Sequence, residues 1–184
     1  MKDEIIEIGL RIKDLREISG MTLEETAEKF KLPYEIYRQY ENGEADIPMG
    51  FMLDFAGFFK VDLTDLLTGS TPKLHTYCFV KKDKGVHVER RTSYCYQHLA
   101  YNFSGKKAEP FLVTVDYKEN ANIDFNSHDG HEFNYCVEGK LLIVINDQEI
   151  VMEPGDSLYF DSMARHGMKA LEGKSAKFLA IIFK

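Results

Sequence analysis

Apolar positions recur every three or four residues through the first third of the chain and every second residue through much of the remainder. Ile5, Ile8, Ile12 and Leu15 keep helical spacing, which predicts a first helix that Gly20 is placed to end. Thr22-Leu23-Glu24-Glu25 reads as a helix start. The threonine hydroxyl can accept from a backbone N–H three residues on while Glu25 reaches back, and Leu23, Ala27 and Phe30 would form the inner face. Pro33 suits the first turn of a third helix running to Glu41, because its missing N–H needs no partner there, and Asn42-Gly43 closes it. Phe51, Met52, Phe55, Phe58 and Phe59 mark a fourth, apolar helix, and residues 63 to 67 a short fifth. The first part is predicted to be a five-helix bundle.

TGSTPK, residues 68 to 73, has linker composition, and the period changes beyond it. PFLVTVDY, LLIVIND, EIVMEPGD, SLYFDS and KFLAIIF read as short strands, with turns at Asn146-Asp147 and Pro154-Gly155-Asp156. The stretch HDGHEFNYCVEGKL, from 128, puts two histidines and a glutamate into five positions and then alternates up to a glycine turn. Closely spaced strands of this kind predict a sandwich or barrel. The division expected is residues 1–68 for the helical unit and 69–184 for the strand-rich one.

Composition changes this picture only in part. Apolar residues at 44% and charged residues at 29% are ordinary for a chain that buries a core, so disorder is not the default expectation. The start, MKDEIIEIGL, carries acids where a secretory signal carries bases, and no run of about 18 apolar residues follows. A cytoplasmic protein with no membrane partner is expected. Cys78, Cys95 and Cys136 form no C-x-x-C pair and are read as buried thiols rather than a disulfide framework or a thiolate zinc site. Charge is uneven: residues 1–70 hold 8 Lys/Arg against 15 Asp/Glu, which accounts for the whole net charge of -7.

The order IGLRIKDLREISGMTLEETAEKFKLPYEIYRQYENG resembles the phage-repressor-like, xenobiotic-response-element family of helix-turn-helix domains over residues 4 to 68. The resemblance implies an all-α, lambda-repressor-like bundle that binds double-stranded operator DNA as a homodimer, with its third helix in the major groove. Tyr34, Glu35, Arg38 and Gln39 then take the positions over base edges. Arg38 would donate to guanine, Gln39 pair with adenine and Glu35 accept from cytosine. Thr22, Lys31 and Asn42 match backbone-contact positions, and Arg16 and Glu41 match a pair that joins the first helix to the end of the third. Tyr37 and Tyr40 are read as core. Lys31 stands where glycine is often found in the turn, and the acidic balance predicts weak DNA binding by a single copy, because non-specific affinity comes from Lys and Arg at phosphates.

From Ser93 onward, SYCYQHLA, EPFLVTVDY, SHDGHEFNYCVEG and EPGDSLYFDSMARHG resemble segments of the cupins, small all-β double-stranded β-helix (jelly-roll) barrels. Set on the family's two motifs, His128, Glu132 and His166 take three of four metal-ligand positions, and Asn126 stands at the fourth. Two imidazoles and one carboxylate suit a divalent metal, iron or zinc. The same residues would otherwise hydrogen-bond an organic ligand or one another, and Asn126 is a poor metal ligand but a good amide partner. Asn126 and Tyr135 are expected to line a ligand pocket, with His131 away from the ligand positions at its rim or in it, and most other barrel aromatics, Tyr159 and Phe160 among them, to fill the core.

The fusion implies a DNA-binding transcriptional regulator whose cupin domain senses a small-molecule effector, with no catalytic residues assigned. The alternative implied by the same layout is a mononuclear iron oxidoreductase similar to the hydroxypropylphosphonate epoxidases. A third is a sensor of the metal itself.

Overall fold

A computed structural model of the chain describes residues 2–70, 74–89, 94–119 and 122–183. Part of the expected linker, residues 71–73, and Ser93 of the first cupin-like segment lie outside them. The chain divides into two compact units, residues 1–72 and 73–184.

The first unit is α1 (Lys2–Ile18), α2 (Leu23–Lys29), α3 (Tyr34–Glu41), α4 (Met49–Phe59) and α5 (Leu63–Thr68). The Thr22 hydroxyl accepts from the Glu25 N–H at 3.1 Å while the Thr22 N–H donates to the Glu25 carboxylate at 2.8 Å, so the predicted reciprocal cap forms. Pro33 serves as the cap just before α3 rather than inside its first turn. Ile12, Tyr37, Phe55 and Leu63 have no exposed surface and mark the core. Leu23 and Phe30 are only partly buried, so the buried side of α2 rests on Thr26 and Ala27. Phe58 is 41% exposed, covered in part by Phe30 edge-on and by the Lys29 ammonium over its ring. Close crossing of α1 over α3 depends on Gly9, where a Cβ would stand 2.5 Å from the Tyr40 carbonyl oxygen.

The second unit contains β1 (Val86–Glu89), β2 (Tyr94–His98), β3 (Ala108–Val115), β4 (His131–Glu138), β5 (Leu141–Ile145), β6 (Gln148–Met152), β7 (Ser157–Asp161), β8 (His166–Ala170) and β9 (Ala176–Phe183). They form an antiparallel sheet in the order β1-β2-β3-β9-β4-β7 and a second of β6-β5-β8. Period two is sharp in β3 and β9, whose inner residues Phe111, Val113, Phe178 and Ala180 are buried. β5 is apolar on both faces and buried over Leu141 to Val144, as a central strand should be.

Of the cysteines, only Cys136 is buried, and that burial raises its thiol pKa; Cys78 and Cys95 are half-buried, against expectation. Among the described residues no helix is long and apolar enough to cross a membrane.

Candidate metal centre and nucleic-acid interface

Glu132 is the second residue of β4, and alternation along that strand decides which neighbours share its face. Glu132, Asn134 and Cys136 are buried and point inward, while His131, Phe133 and Tyr135 point outward. His166 begins β8, and the segment before β4 runs antiparallel to it through a bridge between Asn126 and His166, with N···O distances of 2.8 and 2.9 Å. Gly167 permits this approach, since a Cβ there would meet the Asp124 carbonyl at 2.7 Å. His128 is fixed two residues further on by its N–H donating to the Ser162 carbonyl at 3.0 Å.

The outcome is a buried cluster of His128, Glu132 and His166, exposed by 4, 5 and 4%, with one ligand atom from each all within 4.8 Å of one another. Both imidazoles are oriented from behind. His128 Nδ1 lies 3.2 Å from the Asp129 carbonyl oxygen and His166 Nδ1 lies 2.8 Å from that of Ala164. A carbonyl accepts only from N–H, so each neutral ring keeps its lone pair on Nε2. The two Nε2 atoms face the same Glu132 oxygen, at 3.3 and 3.9 Å. Burial lowers the His166 pKa, only partly opposed by the Glu132 charge, and keeps that ring neutral. Three acceptors aimed at one point repel one another, and a cation placed there removes the conflict. Backbone carbonyls behind both histidines are the usual support of metal-bound imidazole. The donor set therefore fits a divalent metal.

Asn126, half-buried, opposes His166 and so stands beside this cluster. Tyr135, expected in the pocket, does not line the interior, and neither does His131, expected at the rim or in the pocket. The one-residue offset from Glu132 turns both to the outer face, where His131 Nδ1 pairs with the Tyr159 hydroxyl at 2.8 Å and Tyr135 is 42% exposed. Tyr159, expected in the core, is 57% exposed there, whereas Phe160 is buried against His166 with ring centres 5.0 Å apart.

Sequence reading passed over a second buried polar group. His98 and Glu109, both fully buried, pair at 2.8 Å; the Ala100 N–H donates to His98 Nδ1, so Nε2–H donates to the carboxylate. Glu109 opposes Ile182, which opposes Glu132, so the two carboxylates share one inner face two strands apart. The available signal was a polar residue at an inward position of an alternating strand. It also marks Asn134.

In the first unit, Tyr34, Glu35, Arg38, Gln39 and Asn42 follow helical spacing along one side of α3 and its end. Tyr34, Glu35 and Asn42 are exposed, and Arg38 and Gln39 half-exposed. Tyr37 and Tyr40, on the other side, are buried. Lys31 is exposed and adopts φ 54° in the turn between α2 and α3, so the lysine takes the left-handed conformation for which glycine is suited. Thr22 is exposed at the start of α2. Arg16 and Glu41 do pair, buried, with Nε–Oε1 at 2.6 Å and Nη2–Oε2 at 3.0 Å.

A helix-turn-helix bundle followed by a double-sheet barrel with a buried His/Glu/His cluster defines a two-domain class of protein. Residues 12–66 match the helix-turn-helix family and residues 112–182 the cupin domain family. The chain thus carries a helix-turn-helix domain and a cupin domain, a combination that supports a DNA-binding regulator. Among solved structures it is similar to an HTH_3 family transcriptional regulator from Vibrio cholerae, at 18% identity and TM-score 0.72, covering 100% of this chain and 98% of that one. It is also similar to hydroxypropylphosphonic acid epoxidase from S. wedmorenis, at 22% identity and TM-score 0.52 over 100% of both chains. The Fe(II) form of HppE with an alternative substrate gives 22%, 0.52, and 97 and 98% coverage. These likenesses establish the shared fold. No curated protein matches the sequence.

Proposed function

We propose that the protein is a cytoplasmic, homodimeric transcriptional regulator in which residues 1–68 read an operator and residues 69–184 bind a divalent metal and, beside it, a small-molecule effector. The observation that carries this reading is the convergence of His128 Nε2, His166 Nε2 and the Glu132 carboxylate, each imidazole braced by a backbone carbonyl. A bound metal would contribute charge and open coordination positions. The chain's own part is to hold the three ligands and exclude bulk water from them. Zinc and iron(II) both suit two imidazoles and one carboxylate.

Tyr34, Glu35, Arg38 and Gln39 face the bases in this reading, and Thr22, Lys31 and Asn42 the backbone. Two copies are needed, because the excess of seven acids in residues 1–70 leaves one copy weakly attracted to phosphates. Effector binding changes operator affinity only if the two dimer arrangements bind effector unequally.

Metal quantification on protein purified without a histidine tag tests the centre. About one equivalent of zinc or iron, lost in Glu132→Gln and in His166→Ala, is expected; a metal-free wild type under metal-replete growth overturns it. Gel shifts with operator fragments test the head. Wild type should bind and Arg38→Ala should lose sequence preference.

A second reading, an iron-dependent oxidase, is favoured by the same observation, since two histidines and one carboxylate leave positions open for oxygen and substrate. The fold shared with the iron epoxidase is compatible with it. Oxygen uptake by the iron(II)-loaded protein with small alcohol substrates separates the two: a regulator shows none above background.

A further inference from the structure

Among the described residues of the barrel unit, two buried side chains have polar atoms to which the protein supplies no partner. These are Asn134, at both its amide oxygen and nitrogen, and the Ser162 hydroxyl. Both residues have no exposed surface. Native interiors seldom leave such groups unpaired, because burial without a hydrogen bond costs stability.

Strand pairing fixes where the two side chains lie. On β4, Glu132 opposes Phe160 of β7 and Ile182 of β9, and Asn134 opposes Leu158 and Ala180. Asn134 therefore occupies the same inner face as Glu132, two residues or roughly 7 Å further along the strand. Its row continues through Ala180 and Phe111 to the buried His98, so its immediate cross-strand neighbours, Leu158 and Ala180, carry no polar side-chain atom. Ser162 stands at the opposite end: its N–H donates to Gly130 and its carbonyl accepts from His128. The two unmatched side chains thus bracket the His128, Glu132, His166 cluster along the strand direction.

We infer that Asn134 determines specificity in a small-molecule site beside that cluster. The ligand it fits chelates the metal at one end, through a carboxylate and an adjacent amine or hydroxyl, and presents a carboxamide or hydroxyl to Asn134 at the other. This inference rests on the proposed metal and effector reading. A primary amide sets a donor and an acceptor side by side, so its complement is a group that does both. The apolar cross-strand partners Leu158 and Ala180 offer a charged tail no counter-charge, while an aliphatic tail leaves the amide unmatched. A site built to hydrogen-bond its ligand discriminates more strongly than an apolar pocket, which is what a polar residue at this inward position supplies. The accompanying loss of stability is the usual accompaniment of a binding site.

Two measurements on the full-length protein test the inference. The first compares melting of the metal-free wild type with Asn134→Leu, which removes both unmatched atoms at similar shape, and with the smaller Asn134→Val. At least one variant is expected to melt above wild type; if neither does, the amide is already satisfied, for instance by a buried water, and the inference falls. The second uses Co(II)-loaded protein with L-glutamine and L-norleucine as probes, which share a chelating end and differ in the polarity of the far end. Visible Co(II) absorption reports binding. Wild type should bind glutamine at least tenfold more tightly than norleucine, and Asn134→Leu should erase that preference. Equal affinities in wild type, a preference unchanged in the variant, or no binding of either probe overturns the assigned ligand class. Failure to take up Co(II) at all would overturn the metal reading instead, and the melting comparison would then decide the role of Asn134 by itself.

Discussion

Arg38 donates to Glu35 three residues earlier on α3, with Nε 3.1 Å and Nη2 2.7 Å from the carboxylate, and its Nη2 also reaches Glu44 at 3.1 Å. The side chain assigned to guanine is thus held between two acids on an exposed surface, and its pairing pulls the Glu35 pKa down. DNA must compete with these contacts. Glu44→Gln keeps the shape and removes one charge, so operator affinity should rise several-fold at low salt, with the gain shrinking as salt screens it. Fluorescence anisotropy across a salt series reads this out; an unchanged or lower affinity at low salt would contradict it.

The buried Arg16–Glu41 pair joins α1 to the end of α3. The carboxylate holds the guanidinium pKa above its ordinary value, although burial alone would lower it. Removing one partner leaves the other charge buried and unmatched, which costs about 3–5 kcal/mol. Glu41→Ala and Arg16→Ala should each lower the unfolding free energy, read from urea titration of the helical signal, by that amount. Replacing both together by apolar residues should cost much less than the sum, and an additive result would exclude the coupling.

Lys31 offers a stability gain set against function. A non-glycine residue at φ 54° carries a strain of roughly 1–2 kcal/mol, part of which glycine would return to its larger unfolded-state freedom. Lys31→Gly should stabilise the first unit by about 0.5–1 kcal/mol in urea. In the proposed interface it also removes a phosphate contact, so affinity should fall similarly on every sequence, with a shallower salt dependence.

Protons and metal should compete at the barrel cluster. Burial lowers the folded-state pKa of His166, so below the unfolded value of about 6.5 the unfolded chain holds the proton that the folded chain refuses. Stability of the metal-free protein should therefore fall as pH drops through that region, and the penalty should vanish above it. Metal binding requires both Nε2 lone pairs and should weaken in the same direction. Melting curves between pH 5 and 8, with and without zinc, check both. In His166→Gln the slope for the metal-free protein should flatten.

How much of this was legible in the sequence varies with the range of the physics involved. Caps and periods are local: Thr22 with Glu25 announced α2, and alternating apolar residues announced β3 and β9 before any contact was known. β1 and β8 gave little local signal. β8 holds His166, Gly167 and Lys169 among its five residues and exists because it pairs with β5 and is buried there.

The candidate ligand positions followed from motif order, but strand phase decided which neighbours accompany them. His131, one residue before Glu132, was expected at the rim or in the pocket and Tyr135 in it; both face outward because successive side chains on a strand point to opposite faces. Asn134, two residues after Glu132, was overlooked for the same reason.

By itself the sequence determined the two-part architecture, the capped helices, the acidic head and the residue types able to bind metal, since these depend on spacing and composition along one chain. Only the tertiary structure decided that two imidazoles turn their lone pairs toward one carboxylate, that Arg38 is held by Glu35 and Glu44, and that Asn134 lies buried among apolar neighbours. Those outcomes depend on which strands and turns come to lie side by side, and contacts between residues distant in sequence are not written in the local pattern.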